Sequence, residues 1–384
     1  MKPWHVGLIL IMMVLVSLQV FMSVLSQREQ QFLGSEQVLN NKLTELQKSL
    51  EEKNNSFEDF KKTDQVLLNQ KLEADLKDIK TGYSGLIGTY ESLVDLRGEK
   101  KLYAKVDSLF AQALNQLSEN NYASATATIK NLEAEIKKEQ EKRALAAAAA
   151  VPIATGNSGS TGTVKTDSGE FRANIISADL RTTKVVVDTA SPSDCADNCP
   201  VLPLATFAQR SGAFAAINGP YFCPATYPAC VNKKNSFDTL MMNKNKTYFN
   251  SGNNVYSSVP AAIFSTTSRF VRQSSEWGRD TGIDSVIAGQ PLLVFNGQSM
   301  FGGDGDPKKS GKGTRAFIGA TDNTVYIGLV YNVTVAEMAN VIASKGIKNA
   351  INLDSGGSIA MWNNGRYVAG PGRDLPFGIM LVRR

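Results

Sequence analysis

Between Val6 and Leu25 the chain runs for 20 residues without a charge. As a helix this run spans about 30 Å, the thickness of a bilayer's hydrocarbon core. No polypeptide folds a compact globule around such a segment at its very end, so residues 1–26 stand apart from whatever follows. Two uses fit: a membrane anchor, or a signal peptide cut after the small residues near Val24 and Ser26. The run is long for a signal peptide, which favours the anchor. Lys2 and the free amine precede the run, and Arg28 follows it, so the charge bias towards an inside N-terminus is slight. The expectation is a single-pass membrane protein with its C-terminal domain extracytoplasmic; the alternative is secretion after cleavage.

The two parts of the remaining chain differ in chemistry. Residues 1–163 carry 19 Lys+Arg and 20 Asp+Glu, whereas residues 164–384 carry 22 and 16. Only three glutamates but thirteen aspartates lie in the second part. The first part, rich in Glu, Lys, Leu and Gln, suits helices, and the second suits strands and turns. An excess of six positive charges over about 220 residues is too small and too dispersed to indicate nucleic-acid binding.

In residues 27–82, Phe32, Leu39, Leu43, Leu46, Leu50, Phe57, Phe60 and Leu67 follow steps of three and four, the seam of a coiled coil with polar interruptions. Such a seam can join copies of the chain into a homo-oligomer. Residues 83–147 predict a helical hairpin turning at Asn120 and Asn121, with Ile129, Leu132 and Ile136 on one face. An Ala-rich then Gly/Ser/Thr-rich stretch, 148–163, reads as a linker. None of these segments shows a pattern that carries chemistry, and a spacer accounts for them.

Residues 164–384 contain short β-rich runs separated by turns and one amphipathic helix, "TVAEMANVIASKG", capped by Thr334 and stopped at Gly346. The predicted class is α+β: a large mixed sheet domain with few helices, preceded by a transmembrane helix and a helical coiled-coil stalk. The four cysteines, Cys195, Cys199, Cys223 and Cys230, fall within 36 residues. In an exported chain this suggests two local disulfides, Cys195 with Cys199 and Cys223 with Cys230; the competing zinc site is poorly served by their spacing.

The only histidine is His5, beside the apolar run. Serine–histidine, cysteine–histidine and histidine–zinc chemistry are therefore excluded from the domain, and any acid or base must come from carboxylates, Tyr or Lys. "INLDSGGS" ends a strand on Asp354 and enters a loop, Ser355, Gly356, Gly357 and Ser358, whose backbone N–H groups can converge on anionic oxygens. Taken alone, Asp-Ser-Gly-Gly is also ordinary turn chemistry. "AAINGPYF" repeats the design with Asn218, Gly219 and Tyr221. "GTRAFIG" places Arg315 at a strand start, where its planar fork could meet a phosphate. Arg373 precedes the last strand.

"INGPYF", "GTRAFIG", "INLDSGGS" and "GRDLPFGIMLV", in that order, resemble the phosphodiester glycosidase domain family over most of residues 165–384. The resemblance implies hydrolysis of a sugar-1-phosphodiester, releasing the sugar and leaving a phosphomonoester. Matched by motif, it implies catalytic positions at Asp354, Arg315 and Asn218, and substrate-binding positions at Ser355, Gly356, Gly357, Ser358, Gly219, Tyr221 and Arg373. Ser355 stands where the family pattern has a glycine, and Pro220 stiffens the loop after Asn218. On these terms Arg315 and the Ser355–Ser358 loop would hold the phosphate, Asn218 would orient a sugar hydroxyl, and Asp354 would transfer a proton or hold a divalent cation. No cofactor is certain. A second carboxylate, if used, would be one of Asp284, Asp304, Asp306 or Asp322. The substrate would be a glycan or cell-envelope phosphodiester. The alternative is a non-catalytic envelope polysaccharide-binding module on a coiled-coil scaffold.

Overall fold

The structure is a computed structural model that describes residues 3–97, 103–150 and 160–384. Residues 151–159 of the expected linker lie outside the described residues. The chain divides into two compact units, Met1–Lys77 and Asp78–Arg384.

In the first unit a single helix, α1 (Pro3–Lys61), carries the apolar run and most of the heptad seam. It is long and apolar enough to cross a membrane, with a mean hydropathy of 2.0 in its apolar window. Leu39, Leu43, Leu46, Leu50, Phe57 and Phe60 are exposed in the single chain. A turn at Lys62 and Thr63 separates α1 from α2 (Asp64–Arg97).

The second unit opens with three helices where a two-helix hairpin was expected. The C-terminal half of α2 packs with α3 (Ala104–Ser118) and α4 (Tyr122–Ala150). Leu86, Ala113, Leu117, Ala125 and Ile129 form one small core, and Leu93, Val106, Leu132 and Ile136 another. The expected turn is present: Asn120 takes φ 58, a left-handed conformation that asparagine tolerates. The linker is shorter than expected, since α4 runs to Ala150 and the first strand, Ser160–Thr166, already pairs with Gly169–Asp179.

The α+β class holds, with the sheet content spread over three sheets whose pairings are all antiparallel among the described residues. The seven-stranded sheet contains Gly313–Thr321 next to Asn349–Asn352. One five-stranded sheet contains Ala215–Asn218 between Met361–Asn363 and Phe377–Arg383. Their facing side chains, among them Ile318, Ile327 and Ile351 from the first and Ile217, Met361 and Ile379 from the second, share one core. The third sheet adds Phe264 and Ile287 to it. On the other face of the large sheet lies the helix Val335–Ser344, with the capping box of Thr334 and Glu337 in place. Gly346, at φ 74, stops it as expected.

Because the two sheets pack face to face, the strands that end at Asn218 and Asn352 come out at the same rim. That rim holds the candidate site.

Candidate active site

Asn218 is fully buried at the end of its strand. Its amide nitrogen donates to the Asp354 carbonyl at 2.9 Å and to the Gly219 carbonyl at 3.2 Å, and its Oδ1 accepts from the Ala360 backbone N–H at 3.2 Å. The backbone N–H of Asp354 in turn donates to Gly219 at 3.0 Å. A buried amide must find partners for each polar atom. Here all are backbone groups of the two motif loops, so Asn218 works as a clamp with no hydrogen-bonding atom directed at a sugar hydroxyl. Gly219 is required because a Cβ there would lie 2.1 Å from the Phe377 ring.

Asp354 leaves the strand end and is only partly exposed. Its Oδ1 accepts from the Ser355 backbone N–H at 2.8 Å. Withdrawal from water pushes its carboxyl up to about 6, against the restraining pull of the Ser358 hydroxyl, the Arg373 charge and the Ser355 N–H, and with a further upward push from Asp95. Residues Gly356–Ser358 form a short 3-10 turn, and Gly356 has φ +61. The two glycines have separate reasons. A Cβ on Gly356 would meet the Asp95 carboxylate at 2.9 Å, and one on Gly357 would meet the Arg373 guanidinium at 2.5 Å. Arg373 itself is pinned through its backbone N–H to the Gly357 carbonyl at 2.7 Å. Burial works against its charge, but Asp95, Tyr227 and Asp354 outweigh that and raise its pKa.

Ser355, which replaces a family glycine, buries its hydroxyl oxygen without a partner. That atom stands free beside the carboxylate to meet a ligand or water.

Tyr221 and Arg315 lie behind this front. The Tyr221 hydroxyl accepts from Asn352 at 3.0 Å. Burial, with the nearby Asp354 charge, pushes it up to about 12, so it stays neutral. Arg315 is 7% exposed and gives its N–H groups to the carbonyls of Gly311 at 2.5 Å and Val333 at 3.4 Å. Burial lowers its pKa, opposed by Tyr221, Asp306 and Asp354. It lends the site positive charge while its fork is held by its own strand region.

Two contributors were not legible as site residues. Tyr227 sits inside the Cys223–Cys230 loop, and its ring lies 5.3 Å from the Arg373 guanidinium carbon. Asp95, near the end of α2, accepts from Arg373 and, at 2.6 Å, from the Tyr227 hydroxyl. Both expected disulfides are present, Cys195–Cys199 and Cys223–Cys230. The close spacing of Cys223 to Gly219 was the one sequence signal that this loop flanks the site.

The four aspartates considered as a second carboxylate are engaged elsewhere in differing degree. Asp284 pairs with Arg384, Asp304 with Lys309, and Asp322 with Lys348 at 2.9 Å. Asp306 caps a one-turn helix through the Lys308 N–H and is the one that also acts electrostatically on Tyr221 and Arg315. No group of three His, Cys, Asp or Glu side chains able to share one cation occurs among the described residues. The groups around Asp354, two arginines and a hydroxyl-bearing glycine loop, suit an anionic ligand better than a cation.

Residues 211–382 match the family described as phosphodiester glycosidase. No curated protein sequence matches the chain at a significant level. Among solved structures, similarity extends to the zebrafish N-acetylglucosamine-1-phosphodiester α-N-acetylglucosaminidase catalytic domain auto-inhibited by pro-peptide, at 15% identity and TM-score 0.47, covering 62% of this chain and 93% of that one. It extends also to a hypothetical protein from Synechocystis, at 12% identity and TM-score 0.40, covering 59% of this chain. The chain spans 62% of the length of that cyanobacterial protein. A putative exported protein from Burkholderia pseudomallei is similar at 12% identity and TM-score 0.34, with 56% of this chain and 74% of that one covered.

Proposed function

We propose that this chain, whose residues 211–382 match the phosphodiester glycosidase family, is a hydrolase that cleaves the bond between a sugar and a phosphodiester in an extracytoplasmic glycan or envelope polymer. The observation that carries the proposal is the meeting of Asp354, the Ser355–Ser358 loop and Arg373 at one rim, in a domain whose carboxyl group is tuned towards neutral pH.

In this reading the phosphodiester lies against the loop N–H groups and the Ser355 hydroxyl, in the positive field of Arg373 and Arg315. Hydrolysis breaks the sugar C1–oxygen bond. Water supplies the new C1 hydroxyl, and the phosphate oxygen leaves as a phosphomonoester with the proton balance passing through Asp354. A group titrating near 6 can both hold and release that proton at physiological pH. Asn218 keeps Asp354 in register with the opposite sheet, and Gly219 and Tyr221 shape the floor. No step is assigned to a divalent cation.

The apolar α1 and the two disulfides support a membrane-anchored protein with this domain on the oxidising side. A self-associating stalk would cover the exposed seam of α1 and set several domains on one anchor cluster.

Asp354→Asn in the full chain tests the proposal. Release of reducing sugar from a p-nitrophenyl glycosyl-1-phosphodiester should vanish while the thermal transition is kept. Retained turnover removes Asp354 from the mechanism. Wild-type protein that retains an envelope polymer without turning it over would instead support a binding module.

A further inference from the structure

Resting on that site, a second inference concerns the helical region that sequence patterns present as a spacer. Asp95 lies outside the family match, yet its carboxylate bridges Arg373 and Tyr227, and its Oδ2 lies 2.9 Å from where a Cβ on Gly356 would stand. One turn earlier on the same face, Glu91 is 7% exposed at its side chain and pairs with Lys308 at 2.6 Å. The Lys308 ammonium in turn lies 5.1 Å from the centre of the Tyr227 ring. Two carboxylates spaced i, i+4 on α2 thus grip two cations that sandwich one tyrosine. The grip belongs to a region that shares a compact unit with the sheets, and α4 packs against the strands Gly313–Thr321 and Thr324–Val333.

We propose that Asp95 is a positioning residue of the hydrolytic site: it fixes Arg373 and Tyr227 over the Ser355–Ser358 loop, so that the helical region is a working part of the enzyme. Arg373 has long torsional freedom and two carboxylates within its field, Asp95 and Asp354. With Asp95 present, the guanidinium is held flat over Gly357 and kept from collapsing onto Asp354. Without it, Arg373 turns towards Asp354, and the site loses both its aligned cation and its proton-exchanging carboxyl. The groups that face Asp354 are Arg373 and Ser358 from its own rim, Asp95 from α2, Tyr221 and Arg315 from the sheets, and Tyr227 from the disulfide loop.

The test compares Asp95→Asn, Asp95→Glu and Tyr227→Phe in the full chain, assayed for sugar release across pH. Asp95→Asn should lower kcat/KM on the order of 100-fold, the usual cost of displacing a site group by about 1 Å. It should also move the pH limb near 6 downwards, since a negative neighbour of Asp354 is lost and Arg373 comes closer. Asp95→Glu should recover part of the rate and return the limb towards its original position. Tyr227→Phe, which keeps the ion pair and removes one anchor, should give an intermediate loss; it also keeps the test open if Asp95→Asn does not fold. Wild-type rates with an unmoved limb would overturn the proposal. So would a more active Asp95→Asn, which would mean that the carboxylate blocks the anion site. If Asp354→Asn is inactive while the Asp95 and Tyr227 variants match wild type, only this inference fails; if Asp354→Asn is active, the site itself is wrong.

Discussion

The backbone N–H of Asp354 donates to the Gly219 carbonyl at 3.0 Å, joining the ends of strands from two different sheets. Asn218 doubles this link through its side chain, reaching both the Asp354 carbonyl and the Ala360 N–H. Removing the amide leaves buried backbone groups without partners, each costing about 1–3 kcal/mol. Asn218→Ala should therefore lower the unfolding free energy by about 3 kcal/mol in a urea titration and reduce turnover as well. Lost turnover at unchanged stability would instead mean that Asn218 contacts the substrate.

Gly357 admits Arg373 by having no side chain: a Cβ would stand 2.5 Å from one guanidinium nitrogen and 3.1 Å from another. The obstructing atom is the far end of a side chain, so the fold can yield where the site cannot. Gly357→Ala is expected to keep its thermal midpoint within a few degrees and to lose at least tenfold in kcat/KM. The complementary change Gly219→Ala meets the rigid Phe377 ring at 2.1 Å and should destabilise the domain itself. A thermal melt and a rate on each variant distinguish the two.

The Cys223–Cys230 disulfide closes a loop of eight residues that carries Tyr227. Chain-entropy reasoning assigns such a short loop about 2.5 kcal/mol. A Cys223→Ser, Cys230→Ser double variant should lose roughly that much stability and, because Tyr227 is released from Arg373, more activity than Cys195→Ser, Cys199→Ser. Equal activity losses for the two pairs would show that only overall stability was at stake.

Those residues also show how far the sequence could be read. The strand-end chemistry of Asn218 and Asp354 was legible because alternating apolar runs stop at polar residues followed by glycine, and the cysteine pairing followed from short spacings. The helix at Thr334 was legible through its capping box. Arg315 looked like a free fork because sequence shows that it begins a strand and not that the carbonyls of Gly311 and Val333 await it. Asp95 left no trace: a carboxylate four residues after Glu91 is what any solvated helix displays, and its partner Arg373 lies in the far end of the chain. The division into three sheets was hidden for the same reason, since strand pairing over long separations is decided by packing and not by local pattern.

Asp188 offers a test of the fold that leaves the site untouched. Its side chain is 4% exposed and receives hydrogen bonds from Arg210, at 2.5 and 2.7 Å, from Lys244 at 3.0 Å and from the Ser211 hydroxyl at 2.9 Å. Burial alone would raise its pKa, but these partners outweigh burial and lower it below the ordinary value of 3.8. A depressed folded-state pKa contributes stability that is full above the unfolded value and is lost as pH falls through the folded one. Stability from Asp188 should thus be constant from neutral pH down to about pH 5 and decline below 3.8. Asp188→Ala strands Arg210 and Lys244 without their carboxylate; because both cations are partly exposed, the loss should sit near the low end for broken buried pairs, about 3 kcal/mol. Urea titrations at pH 7 and at pH 3 check this: the gap between variant and wild type should narrow at the lower pH, and a gap that stays the same would mean that packing, not charge, holds this corner together.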